Sequence, residues 1–203
     1  VTGPLLVTGF GPFPGMPRNP SATLARRLGT LPALRLGPGG PPRVLVLRTA
    51  YGAIPAALEP ALADGPGAVL MFGVSARARR LRVEIRARNR ASRLFPDEAG
   101  ARAGRLALDP AGPAERRSPA AAAALAVLRR HGVPAAASRD AGRYLCNASY
   151  YRALAEPCPV LFIHIPPDRR PRPGARPTPD PQRSLRALAA VARLLVRRAR
   201  PDF

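Results

Sequence analysis

With 203 residues, 46% of them hydrophobic and no apolar run long enough to cross a bilayer, the sequence describes a chain able to bury one fair-sized core, not a membrane helix. Its formal charge of +21 comes from arginine alone, without a single lysine, and the arginines are spread along the chain among abundant Ala, Gly and Pro, as a GC-rich coding bias would leave them. Only 5% of residues are aromatic, so the basic stretches lack the stacking rings of a single-strand binder, and nucleic acid is not expected as the main partner.

Taken in order, Leu5-Leu6-Val7-Thr8 predicts a buried strand running into a Gly/Pro-rich loop over residues 9–15 that carries Phe10 and Phe13. A loop beyond a strand end is where α/β sheets bind ligands, so both rings are candidates for a pocket lining as well as for core. Asn19-Pro20-Ser21 supplies a capping residue and a proline at the first helical position, and a helix continues to Leu28 before Gly29. After a Pro/Gly-rich connection over 31–42, Arg43-Val44-Leu45-Val46-Leu47 reads as a second buried strand, 54–63 as a helix and Ala68-Val69-Leu70-Met71-Phe72-Gly73 as a third strand. Continuous apolar strands separated by helices point to an α/β fold: a three-layer α/β/α sandwich with a mainly parallel, twisted sheet.

From 74 to 94 arginine dominates, yet Leu81, Val83 and Ile85 alternate with Arg82, Glu84 and Arg86, the periodicity of a strand with one polar face. Glu84 is the single acid there, and a structural role balancing the arginines is open to it alongside a chemical one. Leu106-Ala107-Leu108 suggests a short edge strand, and 119–131 an Ala-rich helix closed by Gly132, with His131 in its last turn as a structural, dipole-complementing residue. Ala135-Ala136-Ala137-Ser138 forms a weak strand leading to Cys146, which stands at the entry to a helix ending near residue 155. Val160-Leu161-Phe162-Ile163-His164-Ile165 is the most strand-like run, with His164 near its C-terminal end. Residues 166–181 form a Pro/Arg-rich segment too poor in apolar side chains to pack alone and expected to be mobile, and 184–199 an amphipathic helix. The whole chain, 1–203, is read as a single domain.

The N-terminal segment is too short and lacks the basic region of a secretory signal, so the two cysteines, Cys146 and Cys158, are expected to be free in a reducing cytoplasm. A Cys-His pair is chemically competent because imidazole removes the thiol proton, and a carboxylate fixes the imidazole tautomer. Cys146, His164 and Glu84 provide those three residue types.

Four stretches carry a family resemblance. Leu6-Val7-Thr8-Gly9-Phe10-Gly11-Pro12-Phe13 with Asn19-Pro20-Ser21, the spacing Gly73, Glu84, Asn89, the run Ala141-Gly142-Arg143-Tyr144-Leu145-Cys146-Asn147, and Phe162-Ile163-His164-Ile165-Pro166 resemble the signature regions of pyroglutamyl peptidase type I, in the family's order and over nearly the whole chain. The resemblance implies a cysteine exopeptidase that removes an N-terminal pyroglutamyl residue from a peptide, with no cofactor or metal, in a family that often forms homo-oligomers. It further implies Cys146 as nucleophile, His164 as general base and acid and Glu84 as orienting carboxylate. Phe10, Phe13 and Tyr144 match aromatics of the pyroglutamyl pocket, Asn19 the family's loop asparagine, and Arg93 an arginine near the active site. Two departures stand out. Gly73-Val74-Ser75-Ala76-Arg77-Ala78 replaces the family's Gly-Gln-Ala-Gly-Gly-Arg, and Ala148 stands where a histidine is common. A family-fold protein that binds an acyl amide or peptide without this turnover is therefore a second class, and an arginine-rich nucleic-acid binder a third.

Overall fold

The computed structural model describes residues 3–13, 15–37, 39–168 and 180–199. Of the segment 166–181, residues 169–179 lie outside the described residues, and the expectation of mobility with them. The elements run β1 (Leu5–Phe10), α1 (Pro20–Gly29), α2 (Pro32–Arg35), β2 (Arg43–Leu47), a π-helical turn (Ile54–Leu58) leading into α3 (Glu59–Ala63), β3 (Ala68–Val74), β4 (Leu81–Glu84), β5 (Arg86–Arg88), β6 (Glu115–Arg117), α4 (Ala121–Arg130), β7 (Ala135–Ser138), α5 (Leu145–Ala153), β8 (Val160–Ile165) and α6 (Pro181–Arg198). Among the described residues no helix is long and apolar enough to cross a membrane.

The six-stranded sheet has the order β2-β1-β3-β8-β4-β7. The strands β2, β1, β3 and β8 are mutually parallel, β4 pairs antiparallel with β8, and β7 follows the direction of β4. The central strands are apolar throughout because both faces are covered. One face packs on α1, α4 and α6 through Leu28, Leu128, Leu188 and Val191 against Leu70, Leu161 and Ile163. The other packs on the π-helical turn, α3 and α5 through Leu58, Leu62, Leu145 and Tyr150 against Val69, Met71 and Phe162. This is the expected three-layer α/β arrangement.

Three local expectations change. The first strand extends two residues further, so Phe10 ends β1 and is buried, because backbone pairing with Leu47 of β2 carries the ladder past Thr8. The second strand is an edge, exposed at Arg43 and Val44, and not buried along its length. No strand forms at Leu106-Ala107-Leu108; there the Leu106 carbonyl accepts from Ala91 N and Leu108 packs into the α5-side core. The short strand lies at β6 instead, a Glu-Arg-Arg triplet without apolar alternation that is held by β5 and by the Arg86–Glu115 ion pair. His131 caps the C-terminus of α4 and is exposed, in keeping with a structural role.

The N-terminus of α1 is drawn onto β1 by a dense set of short bonds. Asn19 Oδ1 accepts from Ser21 N (3.1 Å) and Ser21 Oγ (2.7 Å), Asn19 Nδ2 donates to the Gly11 carbonyl (2.9 Å), and Phe10 N donates to Ser21 Oγ (3.0 Å). Gly9 permits this approach, since a Cβ there would stand 2.5 Å from the Ser21 carbonyl oxygen.

At the other end, Asn147 locks the first turn of α5 to β5. Its Oδ1 accepts from Arg88 N (2.8 Å) and its Nδ2 donates to the carbonyls of Arg88 (2.8 Å) and Arg90 (2.9 Å), with the side chain wholly buried. Truncation strips three hydrogen bonds from this buried junction, so Asn147→Ala should cost about 3 kcal/mol of stability. Urea unfolding measures this directly, and a loss below about 0.5 kcal/mol, the range of an ordinary surface substitution, would contradict the assigned role.

Candidate active site

Strand periodicity decides which side chains meet. On β8, Leu161, Ile163 and Ile165 enter the core on the α1, α4 and α6 side, whereas Phe162 faces α5 and His164, two residues on, shares its face. On β4, Leu81 and Val83 join the first core, which leaves Arg82 and Glu84 on the face of His164. The polar face predicted for this strand exists, but it is covered: Glu84 has no exposed surface.

The antiparallel register sets Arg82 opposite His164 and Glu84 opposite Phe162. Glu84 Oε1 reaches His164 Nδ1 at 2.8 Å, and because an ionised carboxylate only accepts, Nδ1 carries the proton. That leaves Nε2 for the hydrogen bond between the ring and Cys146. Cys146 itself lies on the first turn of α5, and its sulfur nestles against β3 at Gly73, the residue paired with His164; a Cβ at position 73 would stand 2.8 Å from Cys146 Sγ. Absence of a side chain at Gly73 therefore makes room for the thiol.

The route to this meeting differs from a simple strand-to-helix elbow. Since β7 runs against β8, its C-terminus points away from the His164 end of the sheet, and residues 139–144 must double back. Arg82 Nη2 holds the Asp140 carbonyl (3.2 Å), Arg86 Nε the Arg139 carbonyl (3.0 Å), Ser92 N donates to the Arg143 carbonyl (2.7 Å), and Tyr144 Oη donates to the Pro96 carbonyl (3.0 Å). The return loop thus delivers Cys146 through hydrogen bonds to three separate segments.

Electrostatics set the ring and silence the second thiol. Burial works against a charged His164, but the hydrogen bond and charge of Cys146, followed by those of Glu84, outweigh it and push the imidazole up to about 9. The ring consequently holds its proton at neutral pH. At Cys158, burial and then the Glu156 charge push the thiol up to about 11, which keeps it protonated and inert as a nucleophile. Both cysteines are free.

Around the trio, Phe10 is 4% exposed and belongs with Tyr51, Tyr144 and Cys146 to the α5-side core. Tyr144 meets Tyr51 edge to face, ring centroids 5.8 Å apart. Burial, and then the charges of Tyr144 and Asp97, push the Tyr51 phenol up to about 12. Phe13 is half-buried on a turn closed by its backbone bridge to Met16. Asn19 spends its amide on Ser21 and Gly11, so it shapes the Phe10–Phe13 loop from behind. Arg93 is exposed, and among the described residues no hydrogen bond or ion pair draws it to the trio. Residues 74–78 replace the glycine-rich loop without any positive φ, so lost glycines impose no left-handed strain.

A cleft of about 710 Å3 opens beside α5 between Tyr51, Ile54, Leu108, Arg116 and Arg152, but none of Cys146, His164 and Glu84 lines it. The reactive centre is located by the hydrogen-bonded trio, not by this cavity. Among the described residues no group of three or more His, Cys, Asp and Glu is placed to hold a metal. Sequence reasoning missed Tyr51, for which no local pattern exists, and the parts played by Gly73, Arg82 and Asn147. Arg82 carried a usable signal in its alternation with Glu84.

Similarity to known proteins places the chain in a family. The family model described as pyroglutamyl peptidase matches residues 4–168. The pyrrolidone-carboxylate peptidase of Gloeobacter violaceus is 32% identical over 200 residues, covering 94% of this chain and 96% of that one. The crystal structure of pyrrolidone carboxyl peptidase from Thermus thermophilus superposes with a TM-score of 0.76 at 34% identity, over 96% of this chain and 99% of that one. The pyrrolidone carboxyl peptidase of Thermococcus litoralis, 23% identical, shares the fold with a TM-score of 0.82 over 99% of this chain and 98% of that one. A chain matched by the family model through its sheet, its buried Glu84 and its Cys146-bearing helix belongs to the pyroglutamyl peptidase family of cysteine peptidases.

Proposed function

We propose that this enzyme hydrolyses the bond after an N-terminal pyroglutamyl residue, with Cys146 as nucleophile, His164 as general acid and base and Glu84 as the orienting carboxylate. The observation that carries the reading is the buried relay from Glu84 Oε1 through His164 to Cys146. Pyroglutamate is a neutral lactam lacking a free α-amine, so its pocket needs flat apolar walls in place of a charged clamp. Phe10, Phe13 and Tyr144 supply such walls, and Asn19 holds the loop that leads from Phe10 at the end of β1 to Phe13. Arg93 is assigned no step.

Attack by the Cys146 thiolate on the exocyclic carbonyl forms the C–S bond and places the carbonyl electron pair on oxygen. The Tyr144 side chain at the N-cap position takes no bond from the first turn of α5, which leaves N–H groups there to stabilise that oxyanion. Collapse expels the peptide amine, which takes the proton of His164, and leaves a thioester. Neutral His164 then removes a proton from water; hydroxide adds to the thioester, and collapse releases pyroglutamate and restores the thiolate facing imidazolium. The free state of both thiols supports a reducing cytoplasm as the working compartment.

Release of a reporter amine from a pyroglutamyl amide tests the reading. Cys146→Ala should lower kcat/KM by about 10³-fold or more, and Cys158→Ala by less than about twofold; equal rates for Cys146→Ala and the parent would refute the assignment. Because the His164 proton is needed for amine departure and its pKa is raised, the proton is present at neutral pH and is lost on raising the pH. Activity should fall as pH passes about 9, and an alkaline limb near the ordinary value of 6.5 would contradict the ion-pair account. Gly73→Ala places a Cβ against Cys146 Sγ and should cost about 10²-fold in kcat/KM while the protein stays folded by circular dichroism. Parent-like activity would show that the thiol does not use this niche.

A further inference from the structure

Beside the relay stands one charge that it does not use. Arg82 lies opposite His164 in the β4–β8 register and shares the face of Glu84, and its Nε is 3.6 Å from Glu84 Oε1. Its Nη2 donates to Ser138 Oγ at 2.7 Å and to the Asp140 carbonyl at 3.2 Å. The guanidinium is therefore anchored from β7 and from the return loop, and its side chain is only 34% exposed. A surface arginine free to swing would make none of these commitments.

The need for it follows from the burial of Glu84. One oxygen of this wholly buried carboxylate meets His164, while the other, Oε2, has no hydrogen-bond partner among the described residues. An ionised carboxylate so placed is costly unless cations face it. In the reaction proposed above, His164 becomes neutral whenever its proton passes to the leaving amine. At that moment Arg82 is, among the described residues, the remaining cation in contact with Glu84.

We propose that Arg82 is a positioning residue for this site: its anchored guanidinium keeps Glu84 ionised and aimed at His164 Nδ1 through the whole cycle, and restrains how tightly the ring holds its proton. It acts through Glu84 and touches no reacting atom. Among the described residues, the titratable and charged groups that face the ring are Cys146 from α5 and Glu84 and Arg82 from β4; the Phe162 ring packs 4.8 Å away, β3 contributes Gly73, and Tyr150 of α5 donates its hydroxyl to the Glu84 backbone carbonyl. Removing the Arg82 charge takes a cation from beside the ring and makes His164 more basic, and a ring that holds its proton more firmly is a poorer acid for the leaving amine.

The experiment follows the His164 imidazole by NMR titration in the full chain, which has only two histidines, the other being the exposed His131. Arg82→Gln should raise the His164 midpoint by about half a pH unit or more. In the pyroglutamyl-amide assay the same variant should lower kcat about tenfold with KM changed less than about twofold. Arg82→Lys keeps the charge, so it should return the midpoint to that of the parent and recover most of kcat. Should Arg82→Gln fail to fold, Arg82→Met, which retains the apolar stem, carries the same expectation. A folded neutral variant whose His164 midpoint is unchanged or lowered overturns the proposal. The titration needs no substrate, so its failure is distinct from a failure of the turnover reading on which the kcat arm rests.

Discussion

Everything at the reactive end of this molecule depends on a buried carboxylate facing a buried imidazole. Glu84 and His164 come from strands whose antiparallel pairing puts residue 84 opposite 162 and residue 82 opposite 164, and the 2.8 Å bond between them crosses that register on the diagonal. In water such a pair would be worth little; with Glu84 wholly buried, breaking it leaves a charge without compensation, and the local structure is tied to keeping it intact. The price is visible in the sheet, which gives up uniform parallel order at β4 and β7. Reversal of those strands puts the carboxylate within reach of His164, and it also forces the chain after β7 to double back before α5 can begin.

That return loop gives Cys146 surroundings that Cys158 lacks, though both are free. Cys146 is carried to a niche where β3 has no side chain and where a protonated ring faces it. Cys158 sits beside Glu156, where burial and a like charge hold its proton. The aromatic side of the site is built with the same economy. Ser21 and Asn19 tie the connection between β1 and α1 through side-chain bonds to its backbone, with Phe10 at the end of β1 and Phe13 on the loop that follows.

Much of this was legible in the residues. The central strands read as continuous apolar runs because two helical layers cover them, and α1 announced itself through Asn19-Pro20-Ser21, each of which has a cap-specific task. Alternation in 81–86 correctly separated Leu81 and Val83 from Arg82 and Glu84, but could not say that the polar face was buried, because burial there is imposed by α5, distant in sequence. Strand direction at β4 was equally hidden, since a local pattern encodes a face and not a partner. The Leu106-Ala107-Leu108 triplet misled for a related reason: its apolar residues serve packing against the α5 side, while the β5 edge is taken by Glu115–Arg117, whose pairing rests on ion pairs that periodicity does not register. Family resemblance brought Cys146, His164 and Glu84 together on paper; the register of β3, β8 and β4 is the physical reason they meet.

The central claim is covalent: acyl transfer to Cys146, and to no other nucleophile. Acid quenching of the enzyme during turnover of a pyroglutamyl amide, followed by intact-mass measurement and peptide mapping, reads it directly. The account predicts a mass gain of one pyroglutamyl group on the peptide that carries Cys146. Turnover accompanied by that same adduct on Cys158, or persisting undiminished in a chain lacking the Cys146 thiol, would contradict it.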